Sequence, residues 1–242
     1  MPQAPFLKRL AADRIRAKRP ILREWYLAHA RRTPPPFYCS IDIRDAGFKI
    51  VPVDSNLYPA GFNNVCPEDR RTAPEILKQQ IARELERICR SECVVERILI
   101  LPESHTQNTF YLENLYYLQE IVQNAGFDVQ IGWYPTLEKP GSEAPGELKT
   151  AEGKAVQTHA LTLQDGVLRA GTFRPDLILL NNDFSAGYPV PLDSVKQPIV
   201  PSHRLGWHTR KKTEHFKRYN ALAGEFATML EMDPWFFQVD TE

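Results

Sequence analysis

The run Ile98-Leu99-Ile100-Leu101 is apolar at every position. Side chains on a strand alternate between two faces, so this run must be covered on both sides and belongs inside a sheet. The segments around it alternate in type. A helix is expected over 73–92, with Pro74 in its first turn and Ile76, Leu77, Ile81, Leu85 and Ile88 on one face. A helix over 109–125 and a strand over 127–133 follow, then a hairpin around Asp165-Gly166, the strand Leu177-Ile178-Leu179-Leu180 and a short strand at Ile199-Val200. Such alternation argues for an α/β fold, a mostly parallel central sheet flanked by helices.

The two ends read as helical. Residues 5–32 carry helical spacing interrupted at Pro20, which favours two short helices. The Arg and Lys residues between Arg14 and Arg32 read as their solvated face. Pro34-Pro35-Pro36 forms an extended linker, after which strands over 37–43 and 48–53 are expected around an Asp45-Ala46-Gly47 turn. The Pro/Gly-rich stretch 134–154 reads as an exposed loop. In the last helix, over 210–231, Phe216, Tyr219, Leu222, Phe226 and Leu230 form a stripe suited to core packing. The expected organisation is an N-terminal helical segment, 1–36, an α/β substrate-side domain, 37–209, and a closing helical segment, 210–242.

Composition excludes several classes. Among 242 residues, 30 Lys and Arg balance 30 Asp and Glu, so no basic field draws nucleic acid. No apolar run approaches the roughly 20 residues needed to cross a bilayer, and the chain starts without the charged-then-apolar order of a signal peptide, so no membrane association and a cytoplasmic setting are expected. Cys39, Cys66, Cys89 and Cys93 lack a C-x-x-C spacing and read as reduced thiols. Cys89 and Cys93 lie four apart, but nothing nearby completes a ligand set, and no metal ligands are assigned. Gly141 and Gly146 have the outer spacing of a phosphate loop, yet Glu147 stands where Lys is required. Neither a G-x-G-x-x-G nor a G-x-S-x-G motif occurs. His203 and His208 are five apart, which is not the spacing of a one-face metal pair.

In open α/β sheets, ligands bind beyond the carboxyl ends of the strands. Three apolar strands here run into polar groups: Glu103-Ser104-His105 with Gln107-Asn108, Asn181-Asn182-Asp183, and Ser202-His203-Arg204. Singly, Ser104, Asn108 and Asp183 are ordinary cap or turn residues. If the strands are parallel neighbours, however, all three sets share one rim. The segment from Lys49 to Asn64 adds Asp54, Asn56, Asn63 and Asn64, with Pro59 and Gly61 shaping the backbone. Carboxamides, carboxylates and a guanidinium together suit a zwitterionic ligand such as an amino acid.

The segments Ile43–Lys49, Val53–Asn64, Pro102–Asn108, Leu180–Ser185 and Trp207–Phe216 resemble the proteobacterial glutamate–cysteine ligase family, of the type known from acidophilic iron and sulfur oxidisers. The resemblance implies a pre-ATP-grasp or Rossmann-like sheet and ATP-dependent synthesis of γ-glutamylcysteine, the first step of glutathione formation, with ATP and Mg²⁺ as cofactors and L-glutamate and L-cysteine as substrates. By chemistry and motif position, Arg44, Lys49 and Arg204 are the catalytic candidates. Asp54, Asn56, Asn63, Asn64, Glu103, Ser104, His105, Asn108, Asn181, Asn182, Asp183 and His203 are the substrate-binding candidates, and Lys211 and Lys212 the nucleotide-binding ones. The family's glycine-rich lid and most nucleotide and metal ligands are expected beyond residue 242, which would make this chain an amino-terminal portion. An apolar patch on the final helix or at Trp235-Phe236-Phe237 is then expected, with a possible homo-oligomer. The competing reading is a noncatalytic amino-acid-binding or subunit-interaction module; a nucleotide-sugar enzyme on a similar sheet is a third.

Overall fold

The computed structural model describes residues 4–89, 94–104, 108–209 and 211–240. As Pro20 suggests, the first helical stretch is split: α1 spans Ala4–Ala17 and α2 Arg19–Arg32, with Pro20 in the first turn of α2, where its missing N–H has no helical acceptor to serve. Strands β1 (Ser40–Asp45) and β2 (Ile50–Asn56) pair as a hairpin. Gly47 takes a positive φ of 82° in its turn, and its N–H donates to Asp45 Oδ1. The hairpin starts later than expected because Phe37 is buried in the core of the main sheet and the Tyr38 hydroxyl donates to the Leu180 carbonyl there.

Helix α3 spans Pro67–Cys89, six residues earlier than expected. Pro67 fills its first turn, and Glu68 and Asp69 favour the positive helix end, leaving Pro74 inside the helix. There follow β3 (Arg97–Pro102), α4 (Thr109–Asn124), β4 (Asp128–Trp133), α5 (Pro135–Glu138), β5 (Glu147–Lys149), β6 (Ala155–Gln164), β7 (Val167–Ala170), β8 (Leu177–Asn181), β9 (Ile199–Val200) and α6 (Lys212–Leu230). The stretch 134–154 is therefore not simply a loop. Its β5 pairs antiparallel to β6, from Glu147 opposite Gln157 to Lys149 opposite Ala155, and forms an edge of the sheet. Asp165 and Gly166, at φ 52° and 78°, make the β6–β7 hairpin turn.

Among the described residues, the chain divides into two units. One draws on Met1–Pro36, Ile41–Asn56 and Arg210–Glu242, the other on Phe37–Ser40 and Leu57–Thr209. These bounds differ from three consecutive segments, because the hairpin groups with both chain ends.

In the first unit, Ala11, Ala223, Ala227, Leu230 and Phe237 make the core, with Tyr219 and Phe226 of α6 packed on it. Tyr219, Phe226 and Leu230 of the expected stripe thus pack as core, whereas Phe216 is half-buried outside this cluster and Leu222 stays 37% exposed. The tail is largely folded in: Phe237 is buried, and Trp235, half exposed, stacks on Phe48 at 6.0 Å with Lys49 Nζ 4.8 Å from its ring.

The second unit holds the seven-stranded sheet, in the order β5-β6-β4-β3-β8-β9 with β7 on β6. Pairs β6–β4, β4–β3, β3–β8 and β8–β9 are parallel. The alternation of side chains is explicit at the centre. Ile98, Ile100, Leu177 and Leu179 pack on one face with Leu115 and Leu118 of α4, whereas Leu99, Leu101, Ile178 and Leu180 point into a second cluster with Tyr58, Tyr134 and Phe184. All eight strand residues are fully buried, as a run apolar on both sides requires. No helix among the described residues is long and apolar enough to cross a membrane.

At the opposite end of these strands, Asp176 accepts hydrogen bonds from Arg97 Nη2 at 2.8 Å and from the Arg97 N–H at 3.0 Å. Burial alone would raise its pKa, but the Arg97 guanidinium and the N–H groups of Glu96 and Arg97 outweigh burial and hold it below the usual carboxylate value. With a folded pKa below the unfolded one of about 3.9, the clamp stabilises the fold above that pH and is lost as pH falls through the folded value. Asp176→Asn is expected to flatten the acid limb of a stability–pH profile measured by denaturant unfolding. A limb identical to that of the parent would remove this role.

Candidate functional site

Because β3, β8 and β9 are parallel neighbours, their carboxyl ends emerge side by side. Glu103 and Ser104 follow β3, Asn182 and Asp183 follow β8, and Ser202 and His203 follow β9, so these residues do share one rim. Tyr134 follows β4 on the same edge. His105 lies outside the described residues, as do Cys93 and the side chain of Cys89.

The rim is built by buried polar groups. Asn181, the last residue of β8, is 1% exposed. Its Nδ2 donates to the Pro59 carbonyl at 2.7 Å, and its Oδ1 accepts from Asn114 Nδ2 at 3.0 Å and from the Tyr111 hydroxyl at 3.3 Å. Asn114 Oδ1 in turn accepts from the Phe62 N–H at 3.1 Å, and the Tyr111 hydroxyl accepts from the Glu103 N–H at 2.8 Å. One buried network therefore fixes the 57–64 loop, α4, β8 and the start of the post-β3 loop. Asn182 is likewise occupied, donating to the Pro102 carbonyl at 3.1 Å and accepting from the Phe184 N–H at 2.8 Å. The amides of Asn181 and Asn182, expected to meet substrate, both shape the rim, and Asn182 also lines the cleft there.

Asn108 caps α4, accepting from the N–H groups of Phe110 and Tyr111 at 3.1 and 3.2 Å. Asp183 Oδ1 accepts from the Ser185 N–H at 2.9 Å, and the Asp183 carbonyl from the Trp207 N–H at 2.8 Å. That last approach explains Gly206, where a Cβ would come within 2.7 Å of the Asp183 carbonyl oxygen.

Beside the rim, Asp193 gathers three partners. Its Oδ1 lies 2.9 Å from His203 Nε2, 2.7 Å from the Tyr188 hydroxyl and 3.4 Å from Arg204 Nη2. His203, then Tyr188, hold the Asp193 carboxyl below its ordinary value. His203 Nδ1 is buried without a partner among the described residues. Arg204, expected to be catalytic, is exposed and pairs with Asp193.

The remaining candidates divide between the two units. Asn63 and Asn64 lie in the sheet unit, joined by a weak 3.4 Å contact. Arg44, Lys49, Asp54, Asn56, Lys211 and Lys212 lie in the other. Arg44 is exposed on β1, and Lys49 is 3.8 Å from Asp240. Lys212 Nζ is 3.1 Å from Asp54 Oδ1, and Lys211 immediately precedes α6. The continuous sequence motif 49–64 is thus shared between two bodies of the fold rather than forming one loop.

A cleft of about 160 Å³ opens at the rim, lined by Glu103, Ser104, Tyr134, Glu138, Asn182 and Ser185 among others. Phe184, also in its wall, adopts φ 53°, a conformation that is uncommon outside glycine. Tyr134 is 3% exposed, and its hydroxyl has no hydrogen-bond partner among the described residues. Burial, helped by the charge of Glu138, pushes its pKa up, so the phenol stays neutral. A buried hydroxyl left unpaired costs about 1–3 kcal/mol. Larger hollows lie elsewhere, one between α3 and α4 near Arg70 and Lys78 and one lined mostly by apolar residues of the first unit, and neither includes the carboxyl end of a strand. Sequence reasoning missed Tyr134, Glu138, Tyr188 and Asp193. Tyr134 was reachable, since it directly follows a strand; Asp193 gave no local signal.

Fold and rim define an α/β protein with a small polar cleft at its strand ends. A family model described as glutamate-cysteine ligase (GshA) matches residues 12–242, and the chain belongs to that family. A crystal structure described as "Putative gamma-glutamylcysteine synthetase", from Methylobacillus flagellatus KT, superposes with a TM-score of 0.79 at 35% identity. The match covers 97% of this chain and 52% of that one, so the chain spans about half the length of that relative. No curated protein matches the chain.

Proposed function

We propose that this chain serves ATP-dependent glutamate–cysteine ligation, its strand-end rim receiving the amino-acid substrates. The observation that supports this best is the side-by-side ending of β3, β8 and β9, which brings Glu103, Asp183 and His203 to one edge in a chain of this family. In such a reaction the γ-carboxylate of L-glutamate takes the terminal phosphoryl group of ATP. ADP is left behind, and the neutral amine of L-cysteine then attacks the acyl carbon, forming the amide as the C–O bond to phosphate breaks and the nitrogen gives up a proton. The protein's part is to position the reactants and offset charge.

Arg204 at the rim, and Arg44 and Lys49 in the other unit, are the cations proposed to offset that charge, with Lys211 and Lys212 as nucleotide contacts. ATP and Mg²⁺ supply phosphoryl transfer and charge neutralisation. Among the described residues, no group of three or more His, Cys, Asp or Glu side chains stands close enough to hold an ion, so no Mg²⁺ ligands are assigned. Membership of the acidophile type, cytoplasmic residence and self-association belong to the same proposal; a clean monomer in sedimentation at high concentration would remove the last.

The test combines two measurements on the full chain. With ATP, Mg²⁺, L-glutamate and L-cysteine, phosphate release dependent on both amino acids is expected, alongside calorimetric binding of L-glutamate. L-glutamate binding without phosphate release would favour the noncatalytic amino-acid-binding module, and the absence of both would remove the proposal.

A further inference from the structure

We propose that the cleft at the ends of β3, β4 and β8 is a receptor for a primary ammonium group, that of the L-cysteine acceptor, held by Glu103, Glu138 and the Tyr134 hydroxyl. This assignment to cysteine rests on the ligase reading, whereas the preference for an amine rests on the cleft alone. Two carboxylates line the cleft, and no Lys, Arg or His does so among the described residues. Carboxylate oxygens accept hydrogen bonds and cannot donate, so this lining suits a group that brings its own N–H donors.

Acidic residues alone would not make a site. The second observation is Tyr134, almost wholly buried in the wall of the cleft, with a hydroxyl that has no partner among the described residues. A hydroxyl both donates and accepts, and an ammonium offers three N–H donors. Glu103, Glu138 and Tyr134 supply an acceptor for each.

Size and charge choose between the two amino acids. A cleft of about 160 Å³ is small beside the roughly 300–1,000 Å³ of pockets that hold drug-sized ligands, a size suited to a small amine. L-Glutamate brings two carboxylates and a net negative charge toward Glu103 and Glu138. L-Cysteine is a net-neutral zwitterion, and its thiol meets the aromatic walls of Tyr134 and Phe184, a favourable contact for sulfur.

The test is an NMR titration of the ¹⁵N-labelled full chain with L-cysteine, cysteamine, N-acetyl-L-cysteine and L-glutamate. L-Cysteine and cysteamine are expected to shift the amides of Ser104, Asn182 and Ser185, whereas N-acetyl-L-cysteine, lacking the ammonium, is not. Tyr134→Phe and Glu138→Gln should each weaken cysteamine binding about tenfold, the effect of one charge-assisted hydrogen bond. Tyr134→Phe should also melt at or above the parent, since the lost hydroxyl is buried without a partner among the described residues; should it melt lower, Glu138→Gln, on an exposed residue, carries the comparison. Equal cysteamine binding by the parent and both variants, or equal shifts by N-acetyl-L-cysteine, overturns the inference. If L-glutamate binds and the amines do not, the inference fails while the ligase reading survives. If cysteamine occupies the cleft and neither amino acid binds, the ammonium site stands and the ligase reading falls.

Discussion

Asn181→Ala is expected to cost about 3–5 kcal/mol and to lower the melting temperature of the sheet unit by roughly 10 °C. The side chain is 1% exposed and joins the Pro59 carbonyl, Asn114 and Tyr111. Removing it strands a buried carbonyl and a buried amide, each at about 1–3 kcal/mol, and opens a small void as well. For a unit of this size each kcal/mol lowers the midpoint by about 2–4 °C. The effect should reach the rim, because the Tyr111 hydroxyl that meets Asn181 also accepts from the Glu103 N–H. Asn63→Ala is the control. Among the described residues its side chain makes only a 3.4 Å contact with Asn64, so a change within about 0.5 kcal/mol is expected. Thermal unfolding followed by circular dichroism decides the matter. If Asn181→Ala and Asn63→Ala melt alike, the buried network does not organise the rim.

The sheet was legible because its signal is nearly local. Ile98 to Leu101 and Leu177 to Leu180 are apolar at every position, and only burial on both faces accommodates that. The rim followed, since residues after parallel strands must emerge together once the strands are neighbours. What an amide does there could not be read, because Asn181 and Asn108 look alike in sequence whether they bond a ligand, a carbonyl or a helix end. The outcome depends on Pro59, Asn114 and the N–H groups of α4, and the first two of these pairings are distant in the chain. The motif from Lys49 to Asn64 misled for the same reason. Its continuity in sequence hides the passage between two units near Asn56, which long-range packing of Tyr58 and Phe62 against the sheet sets. Within 134–154, β5 escaped notice because a three-residue edge strand carries too little periodicity to register.

Strand β8 allows stability to be separated from recognition. Leu177 and Leu180 are both fully buried, and alanine at either should cost about 2–5 kcal/mol from lost burial and the cavity left behind. Their surroundings differ. Leu177 pairs in register with Ile98 at the far end of the sheet and packs in the cluster that includes α4. Leu180, three residues and roughly 10 Å along the strand, packs in the cluster that contains Tyr134 and Phe184, two walls of the cleft. A void under Leu180 lets those rings relax toward it, and a site that depends on the placement of one phenol hydroxyl loses definition. Leu180→Ala is therefore expected to weaken cysteamine binding severalfold, while Leu177→Ala, equally destabilised, binds as the parent does. Melting curves measured beside the NMR titrations supply both quantities. Equal loss of binding in the two variants would mean that recognition follows global stability and that the packing beneath the cleft has no special part in it.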